Sequence, residues 1–187
     1  MLWVWILVGV VAVLLLAVWV IYNGLVRLNE RVDEAWSDIT VQLKYRADLI
    51  PNVVNTVKGY AKHEKEAFES VTKARSEVMA AGANDVKGAA RAEDHMSAAL
   101  GRIFAIAEAY PELKANTNFV KLQDQLQDTE EKIQAARRFY NNGVKSLNVK
   151  VKMFPSNVFA KRLGFKAREY FEVKDRAAIE EAPEVSF

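Results

Sequence analysis

The sequence predicts an all-α protein, with a single N-terminal transmembrane helix followed by an up-down antiparallel four-helix bundle. Two observations support this fold class. The first 22 of the 187 residues carry no charged side chain, and the rest repeats apolar residues at steps of three and four, the period of an α-helix. Four amphipathic helices bury their apolar stripes most simply as an up-and-down bundle. We expect an anchor (1–22), a helical bundle (23–155), and a terminal part (156–187) holding a short basic amphipathic helix and an acidic tail.

The anchor is predicted from the length and the aromatic ends of its apolar run. At about 1.5 Å per residue, residues 1–22 span roughly 33 Å, which matches a hydrocarbon core of about 30 Å. Trp3 and Trp5 lie near one end and Trp19 and Tyr22 near the other, where amphipathic rings act as membrane-interface anchors. A buried core helix and a cleaved signal peptide are the alternatives. A signal peptide would show a basic start and a small-residue cleavage site, and this segment has neither.

Charge around the run predicts its orientation. No lysine or arginine precedes it, whereas Arg27, Arg31, Lys44 and Arg46 follow. The positive-inside rule therefore predicts a single-pass protein of the cytoplasmic (inner) membrane, with its N-terminus outside and its C-terminal domain in the cytoplasm.

Pro51 is the decisive residue for the path of the first half of the chain. The first helix carries an apolar stripe: Leu25, Leu28, Val32, Ala35, Ile39 and Leu43. Because proline disfavours helical backbone in the residue before it, we expect this helix to end at Ile50 and a second to begin with Pro51 in its first turn. The alternative is a kink at Pro51 within one long helix. The second helix is expected to bury Val54, Val57, Ala61, Phe68, Val71 and Val78 and to end at the loop 81–85.

Two further helices follow. The third is predicted over residues 90–110, with Leu100, Phe104 and Ala107 facing inward and Tyr110-Pro111 ending it. The fourth has a coiled-coil-like stripe that runs to Pro155. Its members are Phe119, Leu122, Leu126, Thr129, Ile133, Ala136, Tyr140, Val144, Leu147, Val151 and Phe154.

Charge is distributed unevenly along the chain, although the net charge is only +2. Residues 145–168, the basic segment, carry seven basic side chains and no acidic one, and residues 169–187 carry six acidic and two basic ones. If the chain reverses at Pro51, the basic segment returns to the membrane; a kink would place it far away. We expect the reversal, with Ser156 capping a short helix over 158–164. The predicted membrane-surface contacts are Lys161, Arg162, Lys166, Arg168, Phe159 and Phe165. The alternative is a solvated basic end packed against the acidic tail.

Residue types that carry chemistry are scarce. The chain has no cysteine, which excludes disulfides, thiolate metal sites and a cysteine nucleophile. His63 and His95 fall in different helices, and the paired carboxylates Asp33-Glu34 and Glu130-Glu131 fall on amphipathic helices, where solvation explains them. We therefore predict a protein that is not an enzyme, with no catalytic residue, cofactor or metal. Nucleic acid is not an expected partner, because single-strand binders need a broad groove with stacking platforms.

Several motifs of the sequence resemble the LemA family. They lie at residues 22–26, 31–37, 41–43, 46–52, 57–64, 122–130, 136–141, 154–157, 165–172 and 185–187. The resemblance implies a cytoplasmic-membrane protein with a helical bundle and a short external N-terminus. It implies no biochemical activity, although relatives are associated with membrane organelles such as magnetosomes, and some lie near membrane-protease genes.

The functional expectation is a membrane-anchored scaffold that self-associates and organises membrane or recruits a membrane-protein partner at the cytoplasmic face of the bilayer. Large aromatics at Trp36, Phe139 and Tyr140, and the apolar ending 185–187, suggest a homo-oligomer. The first alternative is an adaptor or regulator of a membrane protease or envelope-stress system. The second is hydrolysis at an unrecognised carboxylate site.

Overall fold

Helices are the only regular secondary structure among the residues that the computed structural model describes, 1–81 and 85–172, and no strand occurs there. The elements are α1 (Leu2–Lys58), α2 (Lys65–Ala80), α3 (Val86–Ala109), α4 (Pro111–Lys114), α5 (Thr117–Lys152) and α6 (Ser156–Ala160). The predicted helical class is thereby confirmed. The acidic tail beyond residue 172 lies outside the described residues.

Helix α1 passes through Pro51 without a break, so the predicted helix end at Ile50 was wrong. Pro51 is exposed, whereas Ile50 and Val53 on either side of it are buried. Burial of these neighbours holds the backbone helical, which outweighs the local preference of a residue that precedes proline. The reversal occurs a few residues later, at 59–64, where the amides of Tyr60 and Ala61 both donate to the carbonyl of Val57 at 3.0 and 2.9 Å.

The chain forms two compact units. Of the described residues, the first, unit 1, contains 1–37 and 138–170, and the second, unit 2, contains those of 38–137 together with Phe171 and Glu172. The core of unit 2 is drawn from α1, α2, α3, α4 and α5. It includes the predicted core residues Val54, Val57, Ala61, Phe68, Val71, Leu100, Ala107, Phe119 and Leu126, while Val78, Phe104 and Leu122 are partly buried against it.

Contacts within unit 2 fix the directions of its helices. Arg75 of α2 donates to the carbonyl of Ala47 at 3.0 Å, and the Lys58 ammonium lies 5.5 Å above the Phe68 ring. Residue numbers therefore rise along α2 as they fall along α1, so the two helices are antiparallel.

Local signals in the sequence set the helix boundaries of unit 2. The Asp85 carboxylate accepts from the amide of Gly88 at 2.8 Å and caps α3. Helix α3 ends at Ala109, just before the predicted stop at Tyr110-Pro111. The Asn116 side chain accepts from the amide of Phe119 at 3.1 Å, so it caps the start of α5.

Candidate membrane-proximal surface

Unit 1 is organised by the pairing of α1 with α5. Trp36 packs against Tyr140 with ring centroids 5.6 Å apart. Closer to the apolar run, a Cβ placed on Gly143 would lie 3.3 Å from Val32 Cγ2, so the small residue lets the two helices approach closely. Nearest the run, Gly24 lies beside Lys150. The numbers fall in α1 as they rise in α5, so α5 runs antiparallel to α1 toward the apolar run.

The chain turns back after α5, at the end nearest the apolar run. The helix ends at Lys152, before Pro155, and Phe154 at the end of the predicted stripe is 77% exposed instead of buried. Ser156 was predicted to cap the short helix, and this prediction was wrong. It is instead the first residue of α6. Its buried hydroxyl bonds to the carbonyls of Lys150 and Met153 at 2.7 and 2.9 Å, so the serine closes the C-terminal end of α5.

Residues 165–170 then lie along α5 and are held by side chains. Asn148 donates to the carbonyl of Arg168 and accepts from its amide at 2.9 and 2.8 Å, which satisfies the backbone of a segment that is not helical. The Tyr140 hydroxyl donates to the carbonyl of Glu169 at 2.9 Å. Burial raises the pKa of the Tyr140 hydroxyl above its ordinary value.

The same segment reaches the end of the apolar run. The Phe165 ring meets the Tyr22 ring edge-on, with centroids 6.1 Å apart. The Arg168 guanidinium donates to Asp33 at 2.8 Å and to Asn29 at 3.0 Å, so this cation is engaged by α1. The basic segment therefore lies beside the residues that immediately follow the run.

The predicted surface residues divide into two groups. Lys161, Arg162 and Lys166 are exposed, whereas Phe159 and Phe165 are half-buried. Sequence reasoning missed three of the apolar residues that are exposed here. These three are Val149, Met153 and Val158, and Phe154 and Leu163 are exposed with them. A groove of about 360 Å³ lies among them, lined by Lys145, Asn148, Val149, Lys152, Met153 and Tyr170.

The side chains of the apolar run are almost all exposed. Helix α1 is the one described helix that is long and apolar enough to cross a membrane, and its most apolar window has a mean hydropathy of 3.1 with only 6% of it buried. A core helix would be covered by its own protein, so this alternative does not fit. Trp3, Trp5, Trp19 and Tyr22 are all exposed.

Comparison with known proteins identifies the family. The model of the LemA family matches residues 35–187. The chain belongs to the LemA family. It is 26% identical over 177 residues to magnetosome protein MamQ 2 of Paramagnetospirillum magneticum, and likewise to magnetosome protein MamQ of Magnetospirillum gryphiswaldense. Each match covers 82% of this chain and 65% of the relative, so the chain spans about two thirds of their length.

A further relative carries the family name itself. Protein LemA of Metamycoplasma hominis is 26% identical over 141 residues, which is 75% of this chain and 64% of that protein. The family match and the exposed apolar helix together indicate a membrane-associated protein of the LemA type.

Unit 2 of this LemA-family protein contains a buried ionic cluster that the sequence did not predict. Arg46 of α1 pairs with Glu93 of α3 and, at 2.7 Å, with Glu130 of α5. Ser97 accepts from Arg46 at 3.2 Å and donates to Glu93 at 3.1 Å. Arg46 and Glu93 are only 5% and 4% exposed, so one cation ties three helices together.

The buried ionic cluster is a candidate site for carboxylate chemistry. Burial raises the pKa of Glu93, and the Arg46 guanidinium only partly offsets this effect. Within the described chain, Arg46 Nε and Glu93 Oε2 have no hydrogen-bond partner. Since Arg46 already pairs with both carboxylates, the arrangement resembles a structural ion network. No group of three histidine or acidic side chains able to hold a metal occurs among the described residues.

Proposed function

We propose that this chain is a membrane-anchored, non-enzymatic scaffold whose basic segment lies on the cytoplasmic surface of the bilayer. The contact between Tyr22 and Phe165 carries the proposal, because it brings the basic segment to the end of the apolar run. The cations Arg27 and Arg31, which follow the run, favour a cytoplasmic position for the chain that comes after it. The relatives named for the magnetosome support a role in organising a membrane compartment.

The exposed side chains suit an anionic leaflet. Lys161, Arg162 and Lys166 supply charge, and each cation near an anionic surface contributes about 1 kcal/mol. Phe154 and Val158 supply exposed apolar area beside them, which can enter the headgroup region. Charge and apolar area together favour the bilayer over a purely solvated basic end.

Vesicle binding tests the proposed surface. The soluble part, residues 23–187, is expected to bind vesicles that contain anionic lipid and to dissociate as salt rises, because screening shortens electrostatic range. Replacing Lys161, Arg162 and Lys166 by Gln is expected to weaken binding about a hundredfold, from three cations at about 1 kcal/mol each. Arg168 is kept, since it pairs with Asp33. Co-sedimentation measures the binding.

The control is matched in charge. Arg91, Arg102 and Lys121 are exposed cations on α3 and α5, and their replacement by Gln removes the same charge elsewhere. This variant is expected to bind vesicles as the unmodified domain does. If the unmodified domain does not bind anionic vesicles at low salt, the proposed membrane surface is wrong. Equal losses in both variants would show that net charge alone, and not this surface, drives binding.

We further propose that α1, α2, α3 and α5 pack in unit 2 as the predicted up-down bundle, and that the chain self-associates. Trp36 and Tyr140 pack within the chain and do not support an oligomer. Phe139 is 57% exposed, and this exposed ring supports self-association. The ending 185–187 lies outside the described residues.

Mass measurement tests self-association. We expect the full chain to exceed the monomer mass in mild detergent at micromolar concentration, and Phe139→Ser to lower that mass because it removes exposed apolar area. A full chain that remains monomeric would contradict the scaffold and favour the adaptor of a membrane protease.

A further inference from the structure

A lysine-lined groove lies at the C-terminal end of α1. It has a volume of about 660 Å³ and is formed by the end of α1, the turn that follows it, and α2. Its lining residues are Lys58, Lys62, Lys65, Phe68, Glu69, Thr72, Lys73 and Ser76. Glu64 and Glu66 lie in the same stretch of sequence but do not line it. Four ammonium groups therefore surround the groove with a single carboxylate, a net charge of +3.

The charges of the groove are poorly compensated by its own side chains. Glu69 is the one lining carboxylate, and it lies 3.7 Å from Lys65 with both groups exposed, so that the pair is weak. The Lys58 ammonium lies over the face of the Phe68 ring. The ring stabilises this cation but does not neutralise its charge. The groove thus combines excess positive charge with an aromatic wall, and its chemistry fits an acidic segment that also carries apolar residues.

This chain contains such a segment. Residues 177–187 read AAIEEAPEVSF and carry Glu180, Glu181 and Glu184 without a basic residue, so their side chains sum to −3 against the +3 of the groove. Ile179 and Phe187 add apolar side chains that can cover the aromatic wall. The preceding chain is fixed at Phe171, which is buried, and the nine residues from there to Glu180 can extend about 30 Å.

We propose that residues 177–187 of the same chain occupy the lysine-lined groove. The three glutamates pair with the lysines around its rim, and the apolar residues lie against Phe68. In this arrangement the lysines bind the acidic segment and not the anionic bilayer. Docking of the segment then covers the turn 59–64.

Disulfide cross-linking of the full chain in nanodiscs tests the proposal, and the absence of native cysteine makes each introduced pair unambiguous. Ser76→Cys places a thiol in the groove and Ser186→Cys places one in the segment. We expect this pair to cross-link rapidly within the monomer. Ser70→Cys with Ser186→Cys is the matched control, because Ser70 belongs to α2 but does not line the groove.

Charge removal tests the electrostatic part. Replacing Glu180, Glu181 and Glu184 by Gln in the reporter pair is expected to slow cross-linking about tenfold, the loss of three exposed ion pairs. Lys62→Gln with Lys73→Gln is expected to slow cross-linking as well, whereas Arg102→Gln with Lys121→Gln, at exposed positions outside the groove and the basic segment, leaves the rate unchanged. Cross-links that form only between two chains, equal rates in the Ser70 control, or rates insensitive to the glutamates would each overturn the proposal.

Discussion

Replacing Arg46 by Met is expected to lower the free energy of unfolding of unit 2 by about 3–5 kcal/mol, the range for breaking a buried ion pair by removing one partner. The substitution fills much of the same volume but leaves Glu93 buried without its cation. Loss of the cation costs less at Glu130, because the Glu130 side chain is one third exposed and can be solvated. Urea denaturation of residues 23–187, followed by circular dichroism, measures the loss.

A matched arginine and a compensating change make this result specific. Arg102→Met removes an exposed arginine from α3 and is expected to change stability by no more than about 0.5 kcal/mol. Adding Glu93→Gln to Arg46→Met is expected to restore part of the loss, because the remaining buried carboxylate becomes neutral. A loss below about 1 kcal/mol for Arg46→Met alone would show that the cluster is not what joins α1, α3 and α5.

Truncating Ile133 or Leu126 to Ala is expected to cost about 2–5 kcal/mol. Both residues were predicted to be buried on the stripe of α5, and the structure confirms this at 1% and 3% exposure. Each truncation removes apolar area and leaves a cavity that a packed helix interior fills incompletely. Shifts in the urea midpoint, with an unchanged denaturant slope, measure the cost.

Val120 provides the control for these truncations. It lies on the same helix but is exposed, so Val120→Ala is expected to stay within about 0.5 kcal/mol of the unmodified domain. If Ile133→Ala is as mild as Val120→Ala, the stripe of α5 faces a partner or solvent and the described packing is wrong.

The apolar stripes could be predicted from the sequence because burial repeats with the period of the helix. Leu25, Val32 and Ala35 on α1, and Leu126 and Ile133 on α5, are buried as expected. The path at Pro51 could not be predicted in the same way. A local rule for proline favoured a helix end, and the burial of Ile50 and Val53, which depends on tertiary packing, overrode it.

The ionic cluster was missed because its members are far apart in sequence. Arg46 and Glu93 are separated by 47 positions. A signal was nevertheless present, since Arg46 continues the stripe of Ile39 and Leu43, and Glu93 lies between apolar stripe positions on α3. One cation and one carboxylate, each in the middle of an otherwise apolar stripe, indicate a buried pair.

The position of the basic segment beside the apolar run was predicted in part. The basic segment lies where a chain reversal would place it, but the reversal occurs at residues 59–64 instead of Pro51. Periodicity alone predicted that Phe154 continues the buried stripe. The helix ends at Lys152, so Phe154 leaves the stripe and becomes exposed. Helix ends depend on local closure such as that by Ser156, which periodicity does not reveal.

Depth-dependent quenching in nanodiscs tests most directly whether the basic segment lies on the bilayer. A fluorophore on Phe154→Cys, in the full chain that has no other cysteine, is quenched by spin-labelled lipid only if this residue enters the headgroup region. The same fluorophore on Ser146→Cys, an exposed position two turns earlier on α5, is the control. We predict strong quenching at position 154, increased by anionic lipid, and little at position 146. Equally weak quenching at both positions would contradict the proposed membrane surface.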